Sequence, residues 1–284
     1  MIDIFLSASK NTIIHIILIF GLTGIITLLL FLLQRMICIA LNKTTGWKGV
    51  YITAWIGTPV HEFSHALFCI VFGHKIQEVA FFKPDKASGV LGYVSHNYNT
   101  KSIYQSVGNF FIGIAPLLIG SLILFLLFDT FFPDQAAKTM KSNIDIANLN
   151  ASFTAVFKEF YAGIVANFSV LRSTLLKPGL LSIAILYLMT SISAHIAPSH
   201  VDLKNALPGF GLLIGLIFIF NLISGFLNFN PGLLLSHITN FLGKLHSILI
   251  FGLALTIFSF VLIYIPLAIY YLLKNNKRIL NPFF

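Results

Sequence analysis

The sequence predicts an all-α membrane protein: a polytopic bundle of about six transmembrane helices with one small membrane-associated β-hairpin. Three observations carry this. The 284 residues are 57% hydrophobic and only 10% charged, with a mean hydropathy of +0.90, whereas a soluble domain needs about 25% charged residues to cover its surface. The apolar residues fall into runs that approach or exceed the ~20 residues a helix needs to cross a bilayer. No repeat, low-complexity tract or soluble module interrupts them, so residues 1–284 read as one integral membrane domain, multi-pass and placed in the cell membrane.

The first run, Thr12 to Leu33, ends at Gln34-Arg35 and reads as a retained span, because no small-residue cleavage pattern follows it. The second, Val50 to Phe72, is interrupted by His61, Glu62, Ser64 and His65. From Lys75 to His96, two β-prone runs, IQEVAFF and VLGYVSH, flank the turn-rich KPDKASG and predict the hairpin. The third span covers Val107 to Phe132. The stretch Pro133 to Pro178 is the most polar, with helical periodicity over Ile144 to Leu171, and reads as a loop with amphipathic helices on the membrane surface. A short fourth span, Leu180 to Ile196, ends at Ala197-Pro198. The fifth lies within Gly209 to Phe229, before the Asn230-Pro231-Gly232 turn signal, and the sixth covers Leu245 to Leu273.

The net charge of +9 comes from Lys and Arg scattered between apolar runs. That pattern suits lipid headgroups and argues against nucleic acid. Those residues divide evenly between alternate loops, so they set no orientation. Cys38 and Cys69 sit in or beside apolar helices without CxxC spacing, which argues against a disulfide or a thiolate metal site.

The chemistry concentrates in His61-Glu62-Phe63-Ser64-His65, an HExxH motif. On a helix, i and i+4 share a face, so both imidazoles can reach one zinc ion, and the intervening Glu62 can act as general base on a water. With nine His and three Glu in the chain, roughly 0.003 such motifs would arise by chance. Two His and a Glu inside an apolar span are costly unless they face the interior and perform a task. A hydrogen-bonded cluster cementing the helices is the bland alternative, but these three groups make poor glue without a cation.

A third ligand must come from elsewhere. Candidates lie in His195-Ile196-Ala197-Pro198-Ser199-His200-Val201-Asp202. Asp202 ranks first, as a carboxylate that a helix break at Pro198 would let turn into the bundle; His195 follows, then His200. The competing reading of Asp202 is an N-cap for the helix beginning at Leu203.

HEFSHALFCIVFGHKIQEVAFF resembles the first motif of the site-2 protease family of intramembrane zinc metalloproteases, and HIAPSHVDLKNALPG is similar to its second, Asn-x-x-Pro followed by Leu-Asp-Gly. GNFFIGIAP, Gly108 to Pro116, resembles the Gly/Asn/Pro-containing span that follows the family's hairpin. The resemblance covers residues 52–116 and 195–209, under half the chain. It implies a zinc endopeptidase with His61, His65 and Asp202 as ligands, Glu62 as catalytic base, and His195 and Asn109 supporting substrate or transition state. His195 stands where the family has Asn, and Leu203 where it has Gly, which marks a divergent member. The implied substrate is a membrane protein or peptide, held as an extended segment by the hairpin. Two rival classes are an inactive homologue serving as a membrane adaptor, and a transporter with a polar mid-depth site. The first predicts loss of Glu62 or a ligand and the second predicts inverted repeats; the sequence has neither.

Of the remaining polar residues, His74 and His96 read as solvated or headgroup-facing, His237 and His246 as interfacial, and Asn221 as an interhelical hydrogen-bonding group.

Overall fold

A computed structural model describes residues 1–134, 136–137, 153–175, 179–227, 229 and 232–275. It is a bundle of helices with a two-stranded antiparallel hairpin. Helix α1 (Ile2–Ile16) continues through a π turn (Ile17–Gly21) into α2 (Leu22–Thr45), then come α3 (Trp47–Val71), β1 (Lys75–Ala80), β2 (Tyr93–Asn97), α4 (Ile103–Phe131), α5 (Phe153–Leu175), α6 (Leu180–Ser193), α7 (His200–Phe226) and α8 (Gly232–Asn275). Among the described residues, four helices are long and apolar enough to cross a membrane: Ile2–Thr45, Ile103–Phe131, His200–Phe226 and Phe241–Asn275.

The other two expected spans take forms of their own. The second lies in the 25-residue α3, long enough for a bilayer but made less apolar by the HExxH group. The fourth becomes the 14-residue α6, about 21 Å long against a ~30 Å hydrocarbon core. The expected end of the first span at Gln34-Arg35 is corrected: the helix runs on to Thr45 and stops at Gly46, whose φ of 65° suits glycine. A polar side chain does not break a helix. Gln34 turns inward and accepts the Ala197 N–H at 3.0 Å, while Arg35 is exposed.

The main core joins α2, α4, α6 and α8 through Ile26, Leu30, Leu117, Leu124, Phe128, Met189, Leu249 and Phe251. Helix α5 packs on α8 with Val170 and Leu171 buried. The stretch expected to be a loop with amphipathic helices on the membrane surface holds a 23-residue helix, as the periodicity suggested, and that helix packs on α8; the rest of that prediction lies outside the described residues. Asn221 donates to Thr12 Oγ1 at 3.0 Å, joining α7 to α1. His246 is not interfacial: its Nε2 lies 3.0 Å from Thr23 Oγ1 and the residue is fully buried. The side chain of His237 lies outside the described residues.

The hairpin forms where its turn chemistry predicts. Asp85 accepts from the Ala87 N–H and the Ser88 hydroxyl, and Gly89 takes φ 78°. The strands pair Ala80 with Tyr93 and Val79 with Val94, with an irregularity between Ile76 and Glu78.

Candidate metal centre

The site is assembled by α3, α4, α6, α7 and the hairpin. His61 and His65 project from one face of α3, one turn apart, with their Nε2 atoms 3.2 Å from each other. Asp202 closes the triangle from α7: Oδ2 is 3.4 Å from His61 Nε2, and Oδ1 is 3.3 Å from His65 Nε2. Among the described residues, these are the three that converge as metal-ligating groups.

Each imidazole is oriented by a backbone carbonyl. His61 Nδ1 lies 2.7 Å from the His195 oxygen, and His65 Nδ1 lies 2.8 Å from the Ile112 oxygen. A carbonyl can only accept, so both Nδ1 atoms carry hydrogen and the neutral rings present bare Nε2 lone pairs. In the neutral rings two lone pairs and a carboxylate then face one another at 3.2–3.4 Å, an arrangement that repels unless a proton or a metal ion sits between them. Zinc bonds of about 2.0–2.1 Å meeting at the tetrahedral angle separate ligand atoms by about 3.3 Å, so the donor set fits that ion.

The sequence explains why the carbonyls are free. Residue 116 is Pro, inside α4, and it has no N–H to offer the carbonyl four residues back, which is that of Ile112. The His195 carbonyl lies just past the end of α6 at Ser193. Asp202 does not sit in irregular backbone, as the break at Pro198 suggested. It occupies the first turn of α7 in a capping box: Ser199 is the N-cap, its Oγ accepts the Asp202 N–H at 3.1 Å, and Asp202 Oδ2 accepts the Ser199 N–H at 2.7 Å. Asp202 is therefore not the N-cap of a helix beginning at Leu203 but the N3 member of the capping box, and its carboxylate is favoured by the helix N-terminus.

The other sequence candidates separate. The His195 ring turns away to Thr53 Oγ1, 3.2 Å from its Nε2, and packs against Gly57, where an added methyl would lie 2.5 Å from the ring. His195 reaches the centre through its carbonyl. His200 is exposed at the start of α7. Glu62 and Asn109 are both buried and line, with the three converging groups, a cavity of about 470 Å³. The hairpin roofs it: a methyl at Gly92 would lie 2.9 Å from Glu62 Cγ and 2.7 Å from the Ala80 carbonyl oxygen.

Three participants were not read from sequence. Thr58 lines the cavity with a buried hydroxyl that has no hydrogen-bond partner among the described residues. His74 is not headgroup-facing but buried, and its Nδ1 lies 3.0 Å from that of His96, which lines the cavity. The Gly73 helix stop, with φ 68°, was the available signal, since it turns the chain back over the bundle. No family model, curated protein or solved structure matches the sequence.

Proposed function

We propose that this protein is an intramembrane zinc endopeptidase that hydrolyses peptide bonds of membrane protein substrates within or beside the bilayer. The observation that supports it most is the convergence of His61 Nε2, His65 Nε2 and the Asp202 carboxylate at 3.2–3.4 Å, with Glu62 beside them in a roofed cavity. The resemblance of residues 61–82 and 195–209 to the site-2 protease motifs points the same way.

His61, His65 and Asp202 would hold the metal. When bound, zinc polarises a carbonyl and lowers the pKa of a water toward about 7. Glu62, next to the ligands without being one, accepts a proton as a water oxygen bonds to the scissile carbonyl carbon. It returns that proton to the amine nitrogen as the C–N bond breaks. Asn109 offers an amide to the substrate backbone.

Metal analysis of detergent-purified protein, joined to cleavage of membrane protein substrates, tests the reading. About one zinc per chain is expected in wild type and little in His65→Ala. Glu62→Gln should keep zinc and lose roughly 10²–10⁴-fold in cleavage rate. Wild type that is metal-free after purification without chelators, or Glu62→Gln cleaving at the wild-type rate, would overturn it.

A further inference from the structure

His96 has an arrangement around it that zinc binding does not require. The Nε2 of His74 lies 2.8 Å from the Gln105 carbonyl oxygen, an acceptor only, so His74 carries its hydrogen there. Its Nδ1 is then bare in the neutral ring, and His96, 3.0 Å away, must donate with its own Nδ1–H. That leaves His96 Nε2 without hydrogen. With Nδ1 engaged by His74, Nε2 is the ring's remaining hydrogen-bonding atom, and His96 lines the cavity together with His65, Glu62 and Asn109.

The chain of bonds is anchored on three elements. His74 is buried just beyond α3 and stacks on Tyr98, with ring centroids 5.0 Å apart. The Gln105 side chain accepts the Asn99 N–H at 2.6 Å and donates to the Gly73 carbonyl at 2.9 Å. Burial, and the neighbouring imidazoles of His74 and His65, hold the His96 pKa below its ordinary value, which favours the neutral ring.

We propose that His96 is a substrate-binding residue whose Nε2 accepts a hydrogen bond from a backbone N–H of the bound peptide, with His74 and Gln105 fixing the tautomer that makes this possible. A half-buried acceptor in a cavity needs a donor, and a peptide brings backbone N–H groups. The inference rests on the reading of the site as a zinc peptidase.

Two near-isosteric variants separate this role from a merely structural one. Gln places a side-chain oxygen near the position of Nε2, whereas Asn keeps a donor near the position of Nδ1 and leaves the cavity edge empty. Two probes are titrated into zinc-loaded protein: a tripeptide hydroxamate, which offers both a chelating group and backbone N–H groups, and acetohydroxamate, which offers the chelating group alone. His96→Asn should bind the tripeptide hydroxamate about 5–10-fold more weakly, the loss of one neutral hydrogen bond, with acetohydroxamate affinity and zinc content unchanged. His96→Gln should stay within about twofold of wild type for both probes. Wild-type tripeptide affinity in His96→Asn with loss in His96→Gln would overturn the inference, because it is the pattern of a residue that only braces His74. An equal loss of both probes in either variant would overturn it too. Wild type binding neither hydroxamate would remove the peptidase reading itself and the inference with it.

Discussion

Pro116→Ala separates metal affinity from fold stability. Proline at 116 leaves the Ile112 carbonyl without its helical partner, and that carbonyl holds His65 Nδ1 at 2.8 Å. Alanine restores an N–H aimed at the same oxygen. Groups that orient metal-bound histidines contribute about 10–100-fold in metal affinity. A carbonyl has two lone pairs, so the competition is partial, and a loss of about 10-fold is expected, or about 1.4 kcal/mol. Helix stability moves the other way, since proline inside a helix is about 3 kcal/mol less favourable than alanine. The metal-free variant should therefore unfold at the wild-type temperature or above it while binding zinc more weakly. Competition against a chromophoric chelator gives the affinity, and thermal unfolding in detergent gives the stability. Pro266→Ala, inside α8, is the control and should leave zinc affinity alone. Unchanged affinity in Pro116→Ala, or an equal drop in Pro266→Ala, would refute the reasoning.

Further substitutions probe the rest of the site. Gly92→Ala puts a methyl within 2.7–3.0 Å of the Ala80 and Phe81 carbonyls and of Glu62 Cγ; zinc content should hold while cleavage drops at least tenfold, and wild-type cleavage would show that the roof does not constrain the base. Asp202→Asn keeps an oxygen for the Ser199 N–H but removes the charge, so zinc should weaken at least 100-fold with little change in unfolding temperature; Asp202→Ala should add a capping loss of about 0.5–2 kcal/mol. Stoichiometric, tightly held zinc in Asp202→Asn would remove Asp202 from the ligand set. His195→Asn should retain zinc, because the carbonyl remains, at a stability cost of about 1–3 kcal/mol from the bond lost to Thr53. Zinc loss as deep as in His65→Ala would instead make the ring of His195 a ligand.

Much of this was legible in the sequence where the signal is local. HExxH has helical spacing, so it placed two imidazoles on one face of α3 without reference to any other segment. The Lys-Pro-Asp…Gly run marked the hairpin because turn residues act within four positions of themselves. Asp202 could be ranked first as a partner of the two histidines because it is a carboxylate that follows Pro198, and it does come to lie beside them. What was missed depends on partners far away in sequence. Gln34-Arg35 reads as a stop until Ala197, 163 residues on, supplies a use for the glutamine. His74 reads as surface until Gln105 and His96 close over it. The helix α5 is amphipathic enough to suggest a membrane surface, and α8, far away in sequence, is what its apolar face packs against.

The two groups that aim the imidazoles are main-chain oxygens, at positions 112 and 195. Every residue type supplies such an oxygen, so the identities of those two residues are free to drift without loosening the histidines. What must persist is a backbone path: a proline four places after 112, and a helix that ends just before 195. Glycine at 57 serves the same path, since a methyl there would lie 2.4 Å from the Ser191 carbonyl and push α6 away. In a set of diverging descendants, then, the aim of the two histidines would depend less on which side chains stand at 112 and 195 than on a proline and a glycine outside the ligand set.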